Sequence, residues 1–246
     1  MTNKYMYFIA NWKMYGNFNS LKSLDKVIQF SKSKEIKKGR LIYCPPFTLI
    51  SSFLKKFQNC LIDIGAQNCH ESDNYGPHTG FINAKMLKNI GANYVIIGHS
   101  ENREKGESDK LINQKIKSAI KAKLKVIFCI GETLKQKKKR KTKSVLLKQI
   151  KLGLNNIKKK SNLFIAYEPV WSIGTGKIPN TKDLELTIKF IKSRFKQKLP
   201  KILYGGSVNP ENVKSLKMIK DLDGFLVGGA SQNPKKFIDI VKKTYN

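Results

Sequence analysis

A carboxylate, an imidazole, an ammonium and an amide stand just beyond apolar runs in this chain, at Glu168, His99, Lys13 and Asn11. Glu168 follows the apolar run 163–166 and precedes a stiff Pro169-Val170-Trp171 corner, then a pliable Gly174-Thr175-Gly176-Lys177 tip. Pro169 fixes its own φ and restricts the residue before it, so the backbone aims the Glu168 carboxylate. Two glycine pairs add a second kind of group. Gly205-Gly206-Ser207 precedes Asn209-Pro210, and Gly228-Gly229 precedes Asn233-Pro234. Each reads as a glycine turn, an asparagine N-cap and a proline at the first helical position. Glycines let backbone N–H groups approach an oxyanion closely, and a helix start adds favourable partial charge, so the pairs suit a phosphate. A carboxylate base facing a neutral imidazole and an ammonium suits proton removal next to a carbonyl, with the donors holding the oxyanion that develops. A closing lid would keep water from such an intermediate.

These residues need elements that bring them to one mouth. Apolar runs at 5–10, 41–44, 61–66, 94–98, 126–130, 163–166, 202–204 and 225–227 read as eight short strands. Helical spacing follows most of them. Examples are Phe18, Leu21, Leu24 and Ile28; Leu111, Ile112, Ile116 and Ile120; Leu146, Ile150, Leu154 and Ile157; Leu184, Ile188, Ile191 and Phe195; and Phe237, Ile238 and Val241. Alternating strands and helices imply parallel pairing through right-handed crossovers. Eight units over residues 1–246 predict a single-domain α/β fold, a closed (β/α)8 barrel whose chemistry gathers at the C-terminal strand ends. A doubly wound sheet is the other possibility, but it expects a G-x-G-x-x-G after the first strand, and Asn11-Trp12-Lys13-Met14-Tyr15-Gly16 is not one. The polar stretch 68–80 is long for a connection and reads as functional or interfacial.

Composition narrows the function classes. Hydrophobic residues at 40% and aromatics at 10% suffice for a large core. No apolar run approaches a membrane span, and Met1-Thr2-Asn3-Lys4 lacks the pattern of a signal peptide. Cys44, Cys60, Cys69 and Cys129 are scattered, which suggests a reducing, cytoplasmic setting and neither a disulfide framework nor a zinc site. No metal or cofactor is expected, and the G-x-S-x-G elbow of a serine hydrolase is absent. The net charge of +31 raises a competing function, a basic polyanion-binding protein on a barrel scaffold, with the lysine-rich segment 135–143 as its best feature. Only four of the 48 basic residues are arginine, the side chain favoured for bidentate reading of bases and phosphates, so specific nucleic-acid binding is not expected.

The motifs Asn11-Trp12-Lys13-Met14, Gly98-His99-Ser100-Glu101, Cys129-Ile130-Gly131-Glu132, the stretch 167–177, Tyr204-Gly205-Gly206-Ser207-Val208 and Val227-Gly228-Gly229-Ala230 occur in this order. Together they resemble the triosephosphate isomerase family over essentially the whole chain. The resemblance implies a cofactor-free isomerase of glycolysis and gluconeogenesis acting on a small triose phosphate. It implies that Glu168 shuttles the proton, that His99 is the neutral electrophile, and that Lys13 and Asn11 contact substrate and oxyanion. Glu101 then partners Lys13, while Gly174, Ser207, Gly228 and Gly229 bind phosphate through their backbone. The long third loop resembles the arm of a homodimer, with Thr79 reaching the neighbouring subunit's Asn11. Four positions depart from the family pattern. Phe81 and Asn102 replace a usual glutamate and arginine, leaving Arg103 as a partial substitute. Ser172 replaces a usual alanine, and Pro179 adds a second proline at the far hinge, which should stiffen it.

Overall fold

The chain is described from a computed structural model covering residues 4–33, 36, 38–158, 162–195 and 199–246. Residues 1–3, which the signal-peptide reading concerns, lie outside this range. The strands are β1 (Met6–Asn11), β2 (Gly39–Cys44), β3 (Ile62–Ala66), β4 (Tyr94–Ile97), β5 (Lys125–Ile130), β6 (Leu163–Tyr167), β7 (Lys201–Tyr204) and β8 (Gly224–Val227). Each expected strand is present, with ends displaced by one or two residues. All pair in parallel and in sequence order, and β8 returns to β1 with Tyr7 opposite Gly224 and Ala10 opposite Val227, so the sheet closes into a barrel.

The α-helices on the outside are α1 (Asp25–Ser31), α2 (Ile50–Lys56), α3 (Ala84–Asn89), α4 (Ser100–Glu104), α5 (Asp109–Lys121), α6 (Leu134–Lys138), α7 (Thr142–Gly153), α8 (Thr181–Lys192), α9 (Val213–Leu216) and α10 (Pro234–Tyr245). Strand residues alternate between two cores, because successive Cβ atoms point to opposite faces. Ile9, Ile42, Ile96, Ile127, Cys129, Phe164, Leu203 and Leu226 fill the barrel interior. Phe8, Tyr43, Val95, Phe128, Ile165 and Phe225 face outward and meet the apolar stripes of the helices. The interior is therefore a packed floor, and the site can lie only above it. Burying each of these large side chains contributes roughly 1.5–3 kcal/mol before chain entropy is counted.

Local capping fixes where most helices begin. Ser108 Oγ accepts from Leu111 N at the start of α5, and Asn233 Oδ1 accepts from Lys236 N at α10, with Pro234 at the first helical position as the sequence indicated. The matching expectation at Asn209-Pro210 is met in part. Asn209 Oδ1 accepts from both Glu211 N and Asn212 N and its carbonyl from Val213 N, the bonds of a cap, but 210–212 form a turn and α9 starts only at Val213. The first helical pattern is also only half right. The segment begins as a 3-10 helix over Phe18–Leu24, whose three-residue turn moves Phe18 off the core face. Leu24 and Val27 are buried while Phe18 is 70% exposed. The long segment 68–80 is irregular and is tied down by Asn83 Nδ2 to the Asn74 carbonyl, Ser118 Oγ to the Ser72 carbonyl and Lys121 to Asp73. Among the described residues, no helix is long and apolar enough to cross a membrane.

Candidate active site

The C-terminal ends of β1, β4, β6, β7 and β8 converge on a cavity of about 260 Å³ lined by Asn11, Lys13, His99, Glu168, Gly174, Gly205, Gly206, Ser207, Gly228 and Gly229. Every residue the sequence singled out for substrate contact lines it. Glu101 stands beside it, bound to Lys13. Thr79 does not reach it; this threonine is exposed on the 68–80 segment of the single chain.

Glu168 is almost completely buried, and its Oε1 has no hydrogen-bond partner. Its Oε2 accepts a long contact of 3.4 Å from Ser100 N, and the buried Cys129 thiol interacts with the same carboxylate. A buried carboxylate with an unsatisfied oxygen is costly in a stabilising role, and Glu168 lines the cavity. Its main chain is held firmly. Glu168 N donates to the Ile130 carbonyl at 2.8 Å, and the Glu168 carbonyl lies against Gly131, where a Cβ would come within 1.7 Å of that oxygen. Gly131 is fixed from outside the barrel by Gln149 of α7, whose amide accepts from Gly131 N at 2.9 Å and donates to its carbonyl at 3.1 Å.

His99 caps α4 through its ring, with Nδ1 accepting from Glu101 N at 3.2 Å. A backbone N–H can only donate, so Nδ1 carries no proton and the ring is the neutral Nε2–H tautomer. That leaves the 3.6 Å approach of Glu101 Oε2 to Nδ1 as a close pass and not a hydrogen bond. Nε2 points into the cavity, 3.5 Å from Glu168 Oε1.

Lys13 adopts a left-handed backbone with φ 54°, uncommon outside glycine and asparagine. Two contacts hold it there: Lys13 N donates to Asn11 Oδ1 at 3.1 Å, and Gln67 Nε2 donates to the Lys13 carbonyl at 2.7 Å. Its ammonium pairs with Glu101 at 2.5 Å, and its Cε passes close to Gly228. Lys13 thus lies between the His99 side of the cavity and the β8 glycines.

The two glycine pairs divide their tasks. A Cβ at Gly205 would meet Glu168 Cγ at 2.8 Å, and one at Gly206 would meet the Tyr204 hydroxyl at 2.3 Å, so these glycines make room for neighbouring side chains. Gly229 has nothing within 4 Å, and Gly228 has only Lys13 Cε at 3.4 Å. The second pair therefore opens onto the cavity, at the start of a 3-10 turn over Gly229–Gln232. The stretch after Glu168 forms a short 3-10 turn over Val170–Ser172 and then the tip, with Gly174 and Gly176 at φ near 70° and 74°. Its near end is anchored by buried Glu132, which accepts from Trp171 Nε1 at 3.0 Å and from the Tyr167 hydroxyl at 3.1 Å.

Gln67, Glu132 and Gln149 carry no assignment in the sequence reading. For Glu132 the signal was present, a lone acid just past a strand in Cys129-Ile130-Gly131-Glu132. Gln67 carried the same mark, standing directly after the run 61–66, whereas Gln149 offered none, since its work depends on which backbone it meets in space. Arg103 does not substitute at the base of the arm. It is engaged by the Gly98 carbonyl, Asp109 and the Cys129 carbonyl. Phe81 instead packs edge-on against His70, which stacks on His78 at 4.4 Å. In the lysine-rich segment, Lys137 covers the Trp171 ring and Lys143 approaches Phe190. Among the described residues, no group of three or more His, Cys, Asp or Glu side chains could hold a metal ion.

Comparison with known proteins gives one consistent result. The sequence model of the family described as triosephosphate isomerase matches residues 6–244. Triosephosphate isomerase of Thermodesulfovibrio yellowstonii is 44% identical, covering 96% of this chain and 98% of the relative. That of Bradyrhizobium diazoefficiens is 42% identical, covering 95% of each. The crystal structure of triosephosphate isomerase from Bartonella henselae superposes with a TM-score of 0.88 at 36% identity, covering 98% of this chain and 100% of that one.

Proposed function

The chain belongs to the triosephosphate isomerase family, and we propose from that premise that it interconverts dihydroxyacetone phosphate and D-glyceraldehyde 3-phosphate with Glu168 as the base. The observation that carries the assignment of the base is the buried Glu168 carboxylate, its Oε1 without a partner and 3.5 Å from His99 Nε2 in the same cavity. Glu168 Oε1 takes the proton from the carbon beside the carbonyl. The electron pair moves onto the carbonyl oxygen, which becomes the enediolate oxygen. His99 Nε2–H, the Lys13 ammonium and the Asn11 amide donate to that oxygen, and their sharing one cavity with Glu168 supports this. Protonated Glu168 then returns the proton to the adjacent carbon, and the carbonyl re-forms on the other oxygen. His99 is placed to pass a proton between the two oxygens. Because Nδ1 is occupied by Glu101 N, the ring works through Nε2 alone.

The phosphate sits against the backbone of Ser207, Gly228 and Gly229, with Gly174 arriving from the tip of the lid over 171–177. Open space at Gly228 and Gly229 supports this, as does the reach of Lys13 across the cavity. Glu101 holds the Lys13 ammonium in place when the site is empty. The barrel runs from Met6 to Tyr245, which supports reading residues 1–246 as one folding unit.

Two chains associate through the 68–80 arm, with Thr79 meeting the partner's Asn11. A second cleft on the far side of Lys13 supports this. It is lined by Asn11, Met14, Phe47, Gln67 and Glu101, and Met14 is 94% exposed in the single chain. Four free cysteines support a reducing, cytoplasmic setting. The comparisons give no support to polyanion binding as the chain's function, and the aromatic contacts of Lys137 and Lys143 supply a local role for part of that segment. The test of the proposed base is Glu168→Gln in a coupled isomerase assay. Turnover should fall by orders of magnitude in a folded protein, and unchanged turnover would remove Glu168 from the mechanism.

A further inference from the structure

Ser172 is fully buried at the near end of the lid, and its hydroxyl has three partners. They are the Lys177 carbonyl at 2.5 Å, the Tyr204 hydroxyl at 3.0 Å and Ser207 N at 3.4 Å. A serine hydroxyl has one proton and two lone pairs, and a carbonyl can only accept. Ser172 therefore donates to Lys177. Tyr204 donates into one lone pair, and the Ser207 N–H approaches the other. The hydroxyl is saturated by groups from three separate places: the far end of the lid, the end of β7, and the loop placed at the phosphate.

The surroundings are shaped for this arrangement. A Cβ at Gly206 would stand 2.8 Å from Ser172 Oγ and 2.3 Å from the Tyr204 hydroxyl, so only glycine leaves room for the pair. Burial pushes the Tyr204 phenol up to about 12, which keeps it a donor at any ordinary pH. Pro179 has no N–H to offer at the exit hinge, and the Lys177 carbonyl is held by the serine.

We propose that Ser172 is a positioning residue that ties both ends of the lid to β7 and to the Ser207 amide. The resting lid and the phosphate loop then move as one unit until phosphate draws the Ser207 N–H away. A contact of 3.4 Å is weak enough to yield to a charged acceptor. Arrival of the phosphate thereby removes one of the bonds holding the resting lid. This rests on reading 171–177 as a lid over Glu168.

The test uses the full chain labelled with 5-fluorotryptophan. Trp171 sits next to Ser172, and Trp12, the other of the two tryptophans, serves as a control resonance. Fluorine relaxation reports the exchange rate of Trp171 without substrate and with inorganic phosphate. Ser172→Ala should raise the rate without phosphate by about 3- to 10-fold, the scale of one net hydrogen bond, and leave Trp12 unchanged. In a Tyr204→Phe background the same change should raise the rate by a clearly smaller factor, because the Tyr204 bond is already gone and only the Lys177 and Ser207 contacts remain to be lost. Phosphate should accelerate Trp171 exchange in the unmodified chain and have less effect in Ser172→Ala. An unchanged Trp171 rate in folded Ser172→Ala, or fully additive effects with Tyr204→Phe, overturns the proposal. Should Ser172→Ala not fold, Tyr204→Phe alone must accelerate exchange, and an unchanged rate is the same refutation. Turnover of the unmodified chain tests the enzymatic reading separately, so the two failures are distinguishable.

Discussion

Replacing Gly131 by alanine puts a methyl group where the Glu168 main chain lies. The new Cβ would be 1.7 Å from the Glu168 carbonyl oxygen and 2.5 Å from its carbonyl carbon. Neither neighbour is a flexible side-chain end. Gly131 is clamped by Gln149, and Glu168 N is bound to the Ile130 carbonyl. Restoring ordinary contact requires the two peptides to separate by more than about 1 Å, and misplacement of a reacting group on that scale costs about 10²-fold in rate. That factor corresponds to about 2.7 kcal/mol at the transition state. The overpacking itself costs about 1–3 kcal/mol of stability. The expected outcome in a coupled assay is a kcat reduced about 100-fold with KM changed little, because Lys13, Ser207, Gly228 and Gly229 are untouched. Circular dichroism and a thermal melt establish that the variant is folded. Gly205→Ala provides a second route to the same carboxylate. Its Cβ would meet Glu168 Cγ at 2.8 Å, so a smaller loss of kcat is expected, again without a large change in KM. Two folded variants with kcat within about 3-fold of the unmodified chain would refute the claim that these glycines fix the position of the base.

Three further outcomes follow from the same geometry. Sedimentation velocity should show a dimer, and Thr79→Asp, which places a charge at the arm tip, should weaken both association and turnover; a fully active monomer contradicts the arm reading. Burial raises the phenols of Tyr204, to about 12, and of Tyr43, Tyr94 and Tyr167 further still, whereas an unfolded tyrosine titrates near ~10. The unfolded chain therefore loses these protons first, so their contribution to stability is complete below pH ~10 and declines as pH rises towards ~12; a urea midpoint that stays flat from pH 9 to 11.5 contradicts this. Cys44, Cys69 and Cys129 are buried, with the Cys69 thiol pushed up to about 12, while Cys60 is half-buried; a thiol reagent should therefore modify one cysteine rapidly in the native protein and four in denaturant, and two or more rapid thiols would contradict the packing.

The strands were legible because a strand buried on both faces must be a short continuous apolar run, and this chain has eight of them. That the candidate site residues would share one cavity was legible because a barrel sends chemistry to strand ends. Asn11, Lys13, His99 and Glu168 are among the polar residues that follow apolar runs there. What was not legible is how the groups are held. Gln149 acts on Gly131 across a distance of 18 residues in sequence, and Gln67 acts on Lys13 across 54. A glutamine in a helix or loop carries no mark of the backbone it will meet. The glycine pairs were read alike, yet Gly205 and Gly206 serve Glu168, Tyr204 and Ser172, whereas Gly228 and Gly229 face the open cavity. Asn209 makes the expected cap bonds, but they close a turn over 210–212 before the regular helix begins at Val213, and Pro210 is compatible with both outcomes. Phe18 failed because a 3-10 start shifts the face that a 3.6-residue period assigns.

The most direct test of Glu168-mediated proton transfer is the conversion of glyceraldehyde 3-phosphate in D2O, followed by proton NMR. A carboxylate that takes up and returns the proton gives it time to exchange with solvent. The account predicts dihydroxyacetone phosphate with deuterium at C1 in a measurable fraction of the product, and loss of both conversion and labelling in Glu168→Gln. Conversion to product that carries no deuterium, or conversion and labelling that persist in Glu168→Gln, would contradict it.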